Sequence, residues 1–232
     1  MKKILLMSDI HANIVSLKKV LDDAGNVDEI LCAGDIVDYN PWPIEAIELV
    51  KEHGIHCVIG NHDRDAALGT PFGYNQDAEI SCRWTHSQLD LDAQRFLLSL
   101  PEKSILKIED VSFFLCHGSP EKLVDEYVYP PPTTPVEVIR KYLSTVQTSI
   151  LILGHTHIPF IQCFPEGYVL NPGSIGQPRS GDPRASYVVM SISNGKIKFE
   201  QRLIEYDIRK VAEKIFEFRL PSFLAERLYL GI

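Results

Sequence analysis

The sequence predicts an α/β fold in which two β-sheets pack together and carry helices on their outer faces. Apolar runs and helical patterns alternate over most of the chain, an order typical of parallel β-α units. After residue 157 the pattern changes to short segments of alternating polar and apolar residues, which is typical of antiparallel strands. Five of the apolar runs end in side chains of the kinds that bind metals. Functional groups collect at the carboxyl ends of strands in such sheets, so we expect these five places to converge.

The size and charge of the chain limit the classes of function. With 232 residues, 45% of them hydrophobic and 23% charged, we expect one domain over residues 1–232, with a C-terminal helix and tail from about residue 207. The net charge of −8 argues against general binding of duplex nucleic acid or of an anionic membrane, because both need clustered Lys and Arg. No apolar run approaches the length of a transmembrane span.

The cysteines indicate a reducing compartment. There are five of them, an odd number, and no C-x-x-C pair occurs. We therefore expect buried free thiols and a cytoplasmic protein.

The first half of the chain reads as repeated strand-helix units. Strands are predicted at residues 3–8, in a run that ends at Ala33, and at about 55–59. Asn13 caps a helix that Gly25 ends, and a second helix runs from about Pro43 to Gly54. A loop over residues 69–74 is long enough to border a site.

The second half adds helices, one more strand-helix unit and two hairpins. Helices are predicted at about 76–87 and 92–99, a strand ends at Cys116, and another covers 149–153. Thr134 and Glu137 form a predicted capping box around Pro135, opening a helix to about residue 147. Hairpin turns are expected at residues 164–167 and at Asn194-Gly195. Asp207 caps a final helix, and the apolar residues 221–232 are expected to dock on the body or on a partner.

The side chains that follow the five apolar runs form a set of metal ligands. They are Asp9, His11, Asp35, Asn61, His117, His155 and His157. The set offers oxygen and imidazole nitrogen but no thiolate, which suits Mn²⁺, Fe, Ni²⁺ or Zn²⁺ better than a structural zinc site. Seven ligands exceed one tetrahedral site, so we expect two divalent ions, with Mn²⁺ favoured and Asp35 as the bridging carboxylate.

The charge of such a centre indicates the substrate. Two divalent ions outweigh the charges of Asp9, Asp35 and a bridging hydroxide, so an acidic protein would hold a positive pocket that attracts phosphate. The hydroxide would attack phosphorus, and the leaving alkoxide would need a proton. His62 is placed to supply it, with Asp63 orienting the imidazole. A purely structural use of Asp63 or Asp38 as a cap remains open.

Taken together, these motifs resemble the calcineurin-like metallophosphoesterase family. The matching motifs are Asp-x-His, Gly-Asp-x-x-Asp, Gly-Asn-His-Asp, His-Gly and Gly-His-Thr-His, in family order over residues 9–157. The resemblance implies a four-layer α/β/β/α sandwich and makes His62 the acid or the transition-state stabiliser. It assigns one metal to Asp9, His11, Asp35 and His157, and the other to Asp35, Asn61, His117 and His155.

One departure from the family pattern narrows the expected activity. Phosphoprotein phosphatases of this superfamily carry an Arg after the second Asp of Gly-Asp-x-x-Asp, whereas Tyr39 and Asn40 follow Asp38 here. The chain is more similar to the small bacterial and archaeal phosphodiesterase-type members, which have a stretch like residues 171–179. We expect Arg179 to supply the missing phosphate contact.

The leading hypothesis is a dinuclear metal-dependent phosphodiesterase that hydrolyses small phosphodiesters or nucleotides through a metal-bridging hydroxide. A phosphomonoesterase and a dinucleoside-polyphosphate hydrolase remain alternatives. So does a non-catalytic scaffold like the retromer subunit of this fold, although His62 and all seven ligands are present. Substrate choice is expected to lie in the loops 64–75 and 119–134, and the apolar tail is consistent with a homodimer.

Overall fold

The computed structural model describes residues 1–232 and contains ten strands and eight helices. The strands are β1 Lys2–Met7, β2 Glu29–Cys32, β3 His56–Cys57, β4 Lys103–Ile108, β5 Val111–Cys116, β6 Ile150–Ile152, β7 Phe160–Phe164, β8 Gly167–Asn171, β9 Ala185–Ser193 and β10 Lys196–Ile204. The helices are α1 Ile14–Ala24, α2 Pro43–Glu52, α3 Asn61–Leu68, α4 Gln76–Gln88, α5 Leu91–Ser99, α6 Val136–Val146, α7 Ile208–Glu217 and α8 Ser222–Leu230.

The strands form two mixed sheets of five strands each. The first has the order β10-β9-β1-β2-β3, with β1 parallel to β2 and antiparallel to β9. The second has the order β4-β5-β6-β8-β7, in which β5, β6 and β8 are parallel and the two edge strands are antiparallel. Both predicted hairpins are confirmed, one joining β7 to β8 and the other joining β9 to β10.

The alternation of side chains along the strands builds the layers. On β1, Ile4 and Leu6 point into a core shared with Phe113 and Leu115 of the second sheet, while Leu5 points to the opposite face. The outer face of the first sheet packs against most of the helices, and that of the second packs against α6. The predicted four-layer α/β/β/α sandwich is therefore confirmed.

Two local predictions were wrong and one strand was missed. Residues 61–68 form helix α3, although a loop was expected from residue 64. The edge strand β4 was not predicted. The predicted capping box is also absent: α6 starts at Val136 with no side-chain cap, and the Thr134 hydroxyl accepts the Tyr129 N–H instead.

The cysteine and tail predictions were each partly confirmed. Four cysteines are buried free thiols, but Cys163 is exposed on the edge strand β7. The tail forms α8, which docks on the body through Leu224, Ala225 and Leu228. No helix combines the length and the apolar character needed to cross a bilayer.

Candidate metal centre

Every predicted ligand side chain lies in one buried cluster. Asp9, His11, Asp35, Asn61, His117, His155 and His157 are each at most 5% exposed. Asp9 and His11 follow β1, Asp35 follows β2, His117 follows β5, and His155 and His157 follow β6. The central strands of the two sheets thus end at the same place, as the predicted topology requires.

The backbone at the strand ends turns sharply to bring the side chains together. Asp9, His11, Asp35, His155 and His157 have φ values of 54°, 46°, 57°, 68° and 60°. This left-handed region is uncommon for residues with a side chain and costs conformational energy, so it occurs mainly where the surroundings enforce it. Five of the seven ligand-type residues share it.

The first group of ligand atoms comprises Asp9, His11, Asp35 and His157, all within 4.8 Å of one another. The His157 Nε2 lies 3.2 Å from the Asp9 Oδ1, and the His11 Nε2 lies 3.5 Å from the Asp35 Oδ2. Two carboxylates and two imidazoles therefore face one small volume.

The second group shares Asp35 with the first. It comprises Asp35, His117 and His155, and the His117 Nε2 lies 3.1 Å from the same Asp35 Oδ2. The Asn61 Oδ1 lies 3.1 Å from that nitrogen, which adds an amide oxygen. Gly60 leaves room for the Asp35 carboxylate, because a Cβ at position 60 would overlap its Oδ1.

The protonation pattern of the cluster fits bound cations. The Nδ1 atoms of His11, His117 and His157 each face a main-chain oxygen, of Val37, Ala33 and Gln177. In His11 and His157, where burial keeps the pKa well below its usual value, these contacts assign the proton to Nδ1 and leave Nε2 as an acceptor aimed at the cluster. The Nε2 atoms of His11 and His157 are then two lone pairs only 3.1 Å apart, a repulsive arrangement that a cation would relieve.

Unpartnered atoms in the cluster support the same conclusion. The Asp9 Oδ2, the Asp35 Oδ2 and the His155 Nε2 are buried without a hydrogen-bond partner. Burial also lowers the pKa of His11 and His157 well below the usual value, and that of His155 to about 3. The Asp35 carboxylate instead raises the pKa of His117 to about 10, so an ion bound beside this imidazole would displace a proton from it. Three neutral imidazoles and orphaned carboxylate oxygens are groups that divalent ions bind, so the donor set fits a metal centre.

His62 lies beside the cluster and is oriented by Asp38. Its Nδ1 is 2.6 Å from the Asp38 Oδ2, and its ring centre is 5.0 Å from that of His11. The other Asp38 oxygen accepts hydrogen bonds from the Tyr39 N–H and from the hydroxyls of Ser81 and Thr85. The carboxylate is therefore fixed from several sides.

The expectation that Asp63 orients His62 is wrong. The Asp63 Oδ1 accepts the main-chain N–H groups of Ile36 and Val37, and its Oδ2 accepts that of Gly60. Because Asp63 lies in the first turn of α3, its carboxylate points back to the N-terminus of the helix and to the loop after Asp35. It is a structural group that joins two ligand-bearing loops.

A narrow cleft opens above the cluster. His62, Asn61, Tyr39, Tyr74 and Arg179 are among its lining residues. The Tyr74 hydroxyl accepts a hydrogen bond from the Asn61 amide at 2.9 Å, so the predicted loop does border the site.

Two lining residues were not identified from the sequence. Tyr127 stacks on the His155 imidazole with ring centres 3.8 Å apart, and Arg227 reaches the cleft from α8. Neither lies in a motif, so no sequence pattern marked them.

Comparison with known proteins identifies the family. The model of the calcineurin-like phosphoesterase superfamily domain matches residues 1–195. The chain belongs to this superfamily. Membership supports a hydrolase of phosphoesters, which agrees with the buried cluster of Asp and His.

Individual relatives cover between four fifths and all of this chain. An uncharacterised protein of Methanocaldococcus jannaschii is 34% identical over 98% of both chains. The phosphodiesterase YfcE of Escherichia coli is 25% identical over 81% of this chain and 86% of its own. The crystal structure of a metallophosphoesterase from Sphaerobacter thermophilus superimposes with a TM-score of 0.83, at 33% identity, covering 100% of this chain and 99% of that one.

Proposed function

We propose that the protein is a dinuclear metal-dependent phosphodiesterase acting on small phosphodiesters or nucleotides. The observation that carries this proposal is the shared Asp35 Oδ2, which lies 3.5 Å from the His11 Nε2 and 3.1 Å from the His117 Nε2 and has no hydrogen-bond partner. A carboxylate oxygen common to two ligand groups is what a pair of closely spaced cations requires.

The chain's own residues divide into two sets of ligands. Asp9, His11, Asp35 and His157 would hold one ion, and Asp35, Asn61, His117 and His155 the other. Divalent ions bound there would hold phosphate oxygens and lower the pKa of a water toward neutrality. The absence of thiolate suits Mn²⁺, which we propose as the first ion to test, with Fe, Ni²⁺ and Zn²⁺ as the others.

His62 would deliver a proton to the leaving oxygen. Its Nδ1 is held by Asp38, so the ring cannot rotate freely and Nε2 is the atom available to the substrate. His62 lines the cleft next to Asn61, which supports a role beside the substrate rather than as a ligand. General acid help of this kind is worth roughly 10²–10⁴-fold in rate.

Arg179 would bind a phosphate oxygen. One of its terminal nitrogens donates to the Gln177 side chain at 2.9 Å, and the main-chain oxygen of Gln177 faces the Nδ1 of His157. The Nε of Arg179 is buried without a partner. Gln177 therefore holds the guanidinium near the candidate ligand His157, and the Nε–H of Arg179 is still available to donate a hydrogen bond.

Two observations support a diester over a monoester. The relative YfcE is named a phosphodiesterase. In addition, Tyr39 occupies the place where the phosphoprotein phosphatases carry their phosphate-binding Arg, which argues against a monoesterase of that kind.

Hydrolysis of bis-p-nitrophenyl phosphate and of p-nitrophenyl phosphate by metal-stripped protein, with Mn²⁺, Ni²⁺ or Zn²⁺ added back, tests the proposal. We expect metal-dependent turnover that favours the diester. His62→Ala should lose roughly 10²–10⁴-fold in kcat while still binding metal. His53→Ala, at an exposed histidine that ends α2, is the matched control.

Preference for the monoester would replace the diesterase proposal with a phosphatase. Metal binding with no turnover of either substrate would favour the scaffold alternative. Two equivalents of metal per chain are expected by elemental analysis, and a single equivalent would contradict the dinuclear centre.

A further inference from the structure

Arg227 brings a second guanidinium to the cleft that contains His62 and Arg179. The cleft has a volume of about 180 Å³. The Cζ atoms of Arg179 and Arg227 lie 5.8 Å and 5.9 Å from the centre of the Tyr39 ring. Both cations therefore gather around one aromatic side chain at the edge of the candidate metal centre.

Neither of these guanidiniums pairs with an Asp or Glu side chain. Seven of the ten arginines form a salt bridge with Asp or Glu, and Arg179, Arg219 and Arg227 do not. Burial and the nearby charge of Arg179 lower the pKa of Arg227 to about 10, which still leaves it protonated at neutral pH. In a chain of net charge −8, two partly buried guanidiniums that pair with no Asp or Glu and face one cleft favour binding of an anion there.

The position of Arg227 is built into the structure. Its Nε donates to the main-chain oxygen of Ile232 at 2.6 Å, and the neighbouring Gly231 oxygen accepts the N–H of Gly181 at 2.8 Å. Gly231 has a φ of 65°, and a Cβ there would lie 2.5 Å from main-chain atoms of Asp182. The end of α8 is thus fitted against the turn that follows Arg179, which holds the two arginines together.

Arg179 and Arg227 have different relations to the metal ligands. Arg179 is connected through Gln177 to His157. Arg227 contacts Tyr39, Phe223 and Ile232, and none of these is a candidate ligand. Arg227 therefore lies on the outer side of the cleft, where a group attached to the scissile phosphate would extend.

We propose that Arg227 and Arg179 form a subsite for a second phosphate group of the substrate, next to the phosphoester that is cleaved. The substrate class is then a phosphodiester that carries an additional phosphate, such as a nucleotide diester with a phosphate at another sugar position. This assignment of the substrate rests on the proposed phosphodiesterase function.

Binding of inorganic phosphate to metal-stripped protein, measured by isothermal titration calorimetry at low salt, tests the subsite without turnover. We expect Arg227→Gln and Arg179→Gln each to raise the Kd for phosphate by about 10-fold, because a charge-assisted hydrogen bond is lost. Arg219→Gln is the matched control, since Arg219 is an exposed arginine of the same C-terminal segment and also lacks a salt bridge. Wild-type phosphate affinity in Arg227→Gln would overturn the subsite, as would binding too weak to measure in the wild type.

A matched pair of substrates tests the second phosphate. The p-nitrophenyl ester of thymidine 5′-phosphate is compared with the same ester carrying a 3′-phosphate, in the metal-loaded enzyme. We expect kcat/KM to be about 10-fold higher with the 3′-phosphate, and Arg227→Gln to remove that advantage by lowering kcat/KM for the 3′-phosphorylated ester more than for the simpler one. Equal values in the wild type, or an equal loss on both esters in the variant, would overturn the assignment. Failure of the phosphodiesterase proposal would instead appear as no turnover of either ester, with phosphate binding to the stripped protein intact.

Discussion

At the residue scale, the orientation of His62 depends on a carboxylate that is distant in the chain. Asp38 is fully buried and accepts hydrogen bonds from a main-chain N–H and two hydroxyls besides its contact with the imidazole. These partners prevent the carboxylate from rotating away. The imidazole is thereby held with one nitrogen toward Asp38 and the other toward the cleft.

Asp38→Asn should lower the kcat for bis-p-nitrophenyl phosphate by roughly 10–100-fold, because a neutral amide holds the imidazole less firmly and does not stabilise its charged form. Metal content should remain at the wild-type level, since Asp38 is not among the candidate ligands. Asp110→Asn, at a fully exposed aspartate, is the control. A wild-type kcat in Asp38→Asn would contradict the positioning role.

Asp63→Asn should act mainly on stability. The substituted amide would face the N–H of Gly60, so one hydrogen bond between α3 and its own N-terminus is lost. We expect the free energy of unfolding to fall by about 1–3 kcal/mol, measured by urea denaturation of the metal-free protein against Asp110→Asn. An unchanged midpoint would show that the three N–H contacts of Asp63 contribute little.

At the scale of elements, the site depends on how closely β3 and α3 approach the loop after β2. Gly60 has an ordinary φ of −98°, so its conformation does not require glycine. The requirement is space, because the Asp35 carboxylate occupies the position that a Cβ would take. Glycine at position 60 therefore makes room for the carboxylate that both ligand groups share.

Gly60→Ala should reduce metal binding, because the added methyl group displaces the shared Asp35 carboxylate. We expect loss of at least one of the two metal equivalents by elemental analysis after dialysis against Mn²⁺. Gly54→Ala is the control: it has a positive φ of 58° but nothing within 4 Å of the added Cβ, so it strains the backbone without touching the site. Full metal content in Gly60→Ala would contradict this account.

At the scale of the whole molecule, the C-terminal helices belong to the same packing unit as the family domain. The family model ends at residue 195, yet Val211, Ile215 and Leu224 share one hydrophobic cluster with Leu5 and Leu17. We propose that residues 1–232 form one domain on this ground. Helices α7 and α8, which lie outside the family match, then contribute to the core, and α8 also contributes Arg227 to the cleft.

Metal removal should destabilise the whole protein. The empty centre keeps buried carboxylates and imidazole lone pairs close together, and binding of ions relieves their repulsion. At free metal about 100 times the Kd, binding to a single site adds about 2.7 kcal/mol to the free energy of unfolding. Thermal denaturation with and without Mn²⁺ measures this gain, and Asp35→Asn should abolish most of it. A melting temperature that Mn²⁺ leaves unchanged would contradict metal binding at the cluster.

The homodimer stays a prediction, and the exposed side chains of helices α7 and α8 give it a specific candidate interface. Apolar side chains remain exposed on α7, α8 and the residues that follow: Phe216, Phe223, Tyr229, Leu230 and Ile232. If they form an interface, light scattering should give about twice the chain mass of 26.2 kDa, and Leu230→Asp should return the protein to a monomer. A monomeric wild type would contradict the prediction.

The sequence by itself determined the two-sheet architecture and the identity of the seven ligand-type residues. Both follow from local pattern: an apolar strand is recognised from a few consecutive residues, and each ligand residue stands one to five residues after one. Parallel strands then place their carboxyl ends together without further information. The edge strand β4 was missed because Lys103, Ile105 and Lys107 are exposed and the residues between them are only half-buried, which gives a weak apolar pattern.

Only the tertiary structure decided which groups lie beside the candidate ligands. His62 is next to Asp63 in the chain, but the first turn of α3 directs their side chains apart and brings Asp38 to the imidazole. Arg227 lies in no motif and reaches Tyr39 because α8 docks against the turn after Arg179. Such contacts join residues distant in sequence through the packing of whole elements, so no local pattern encodes them.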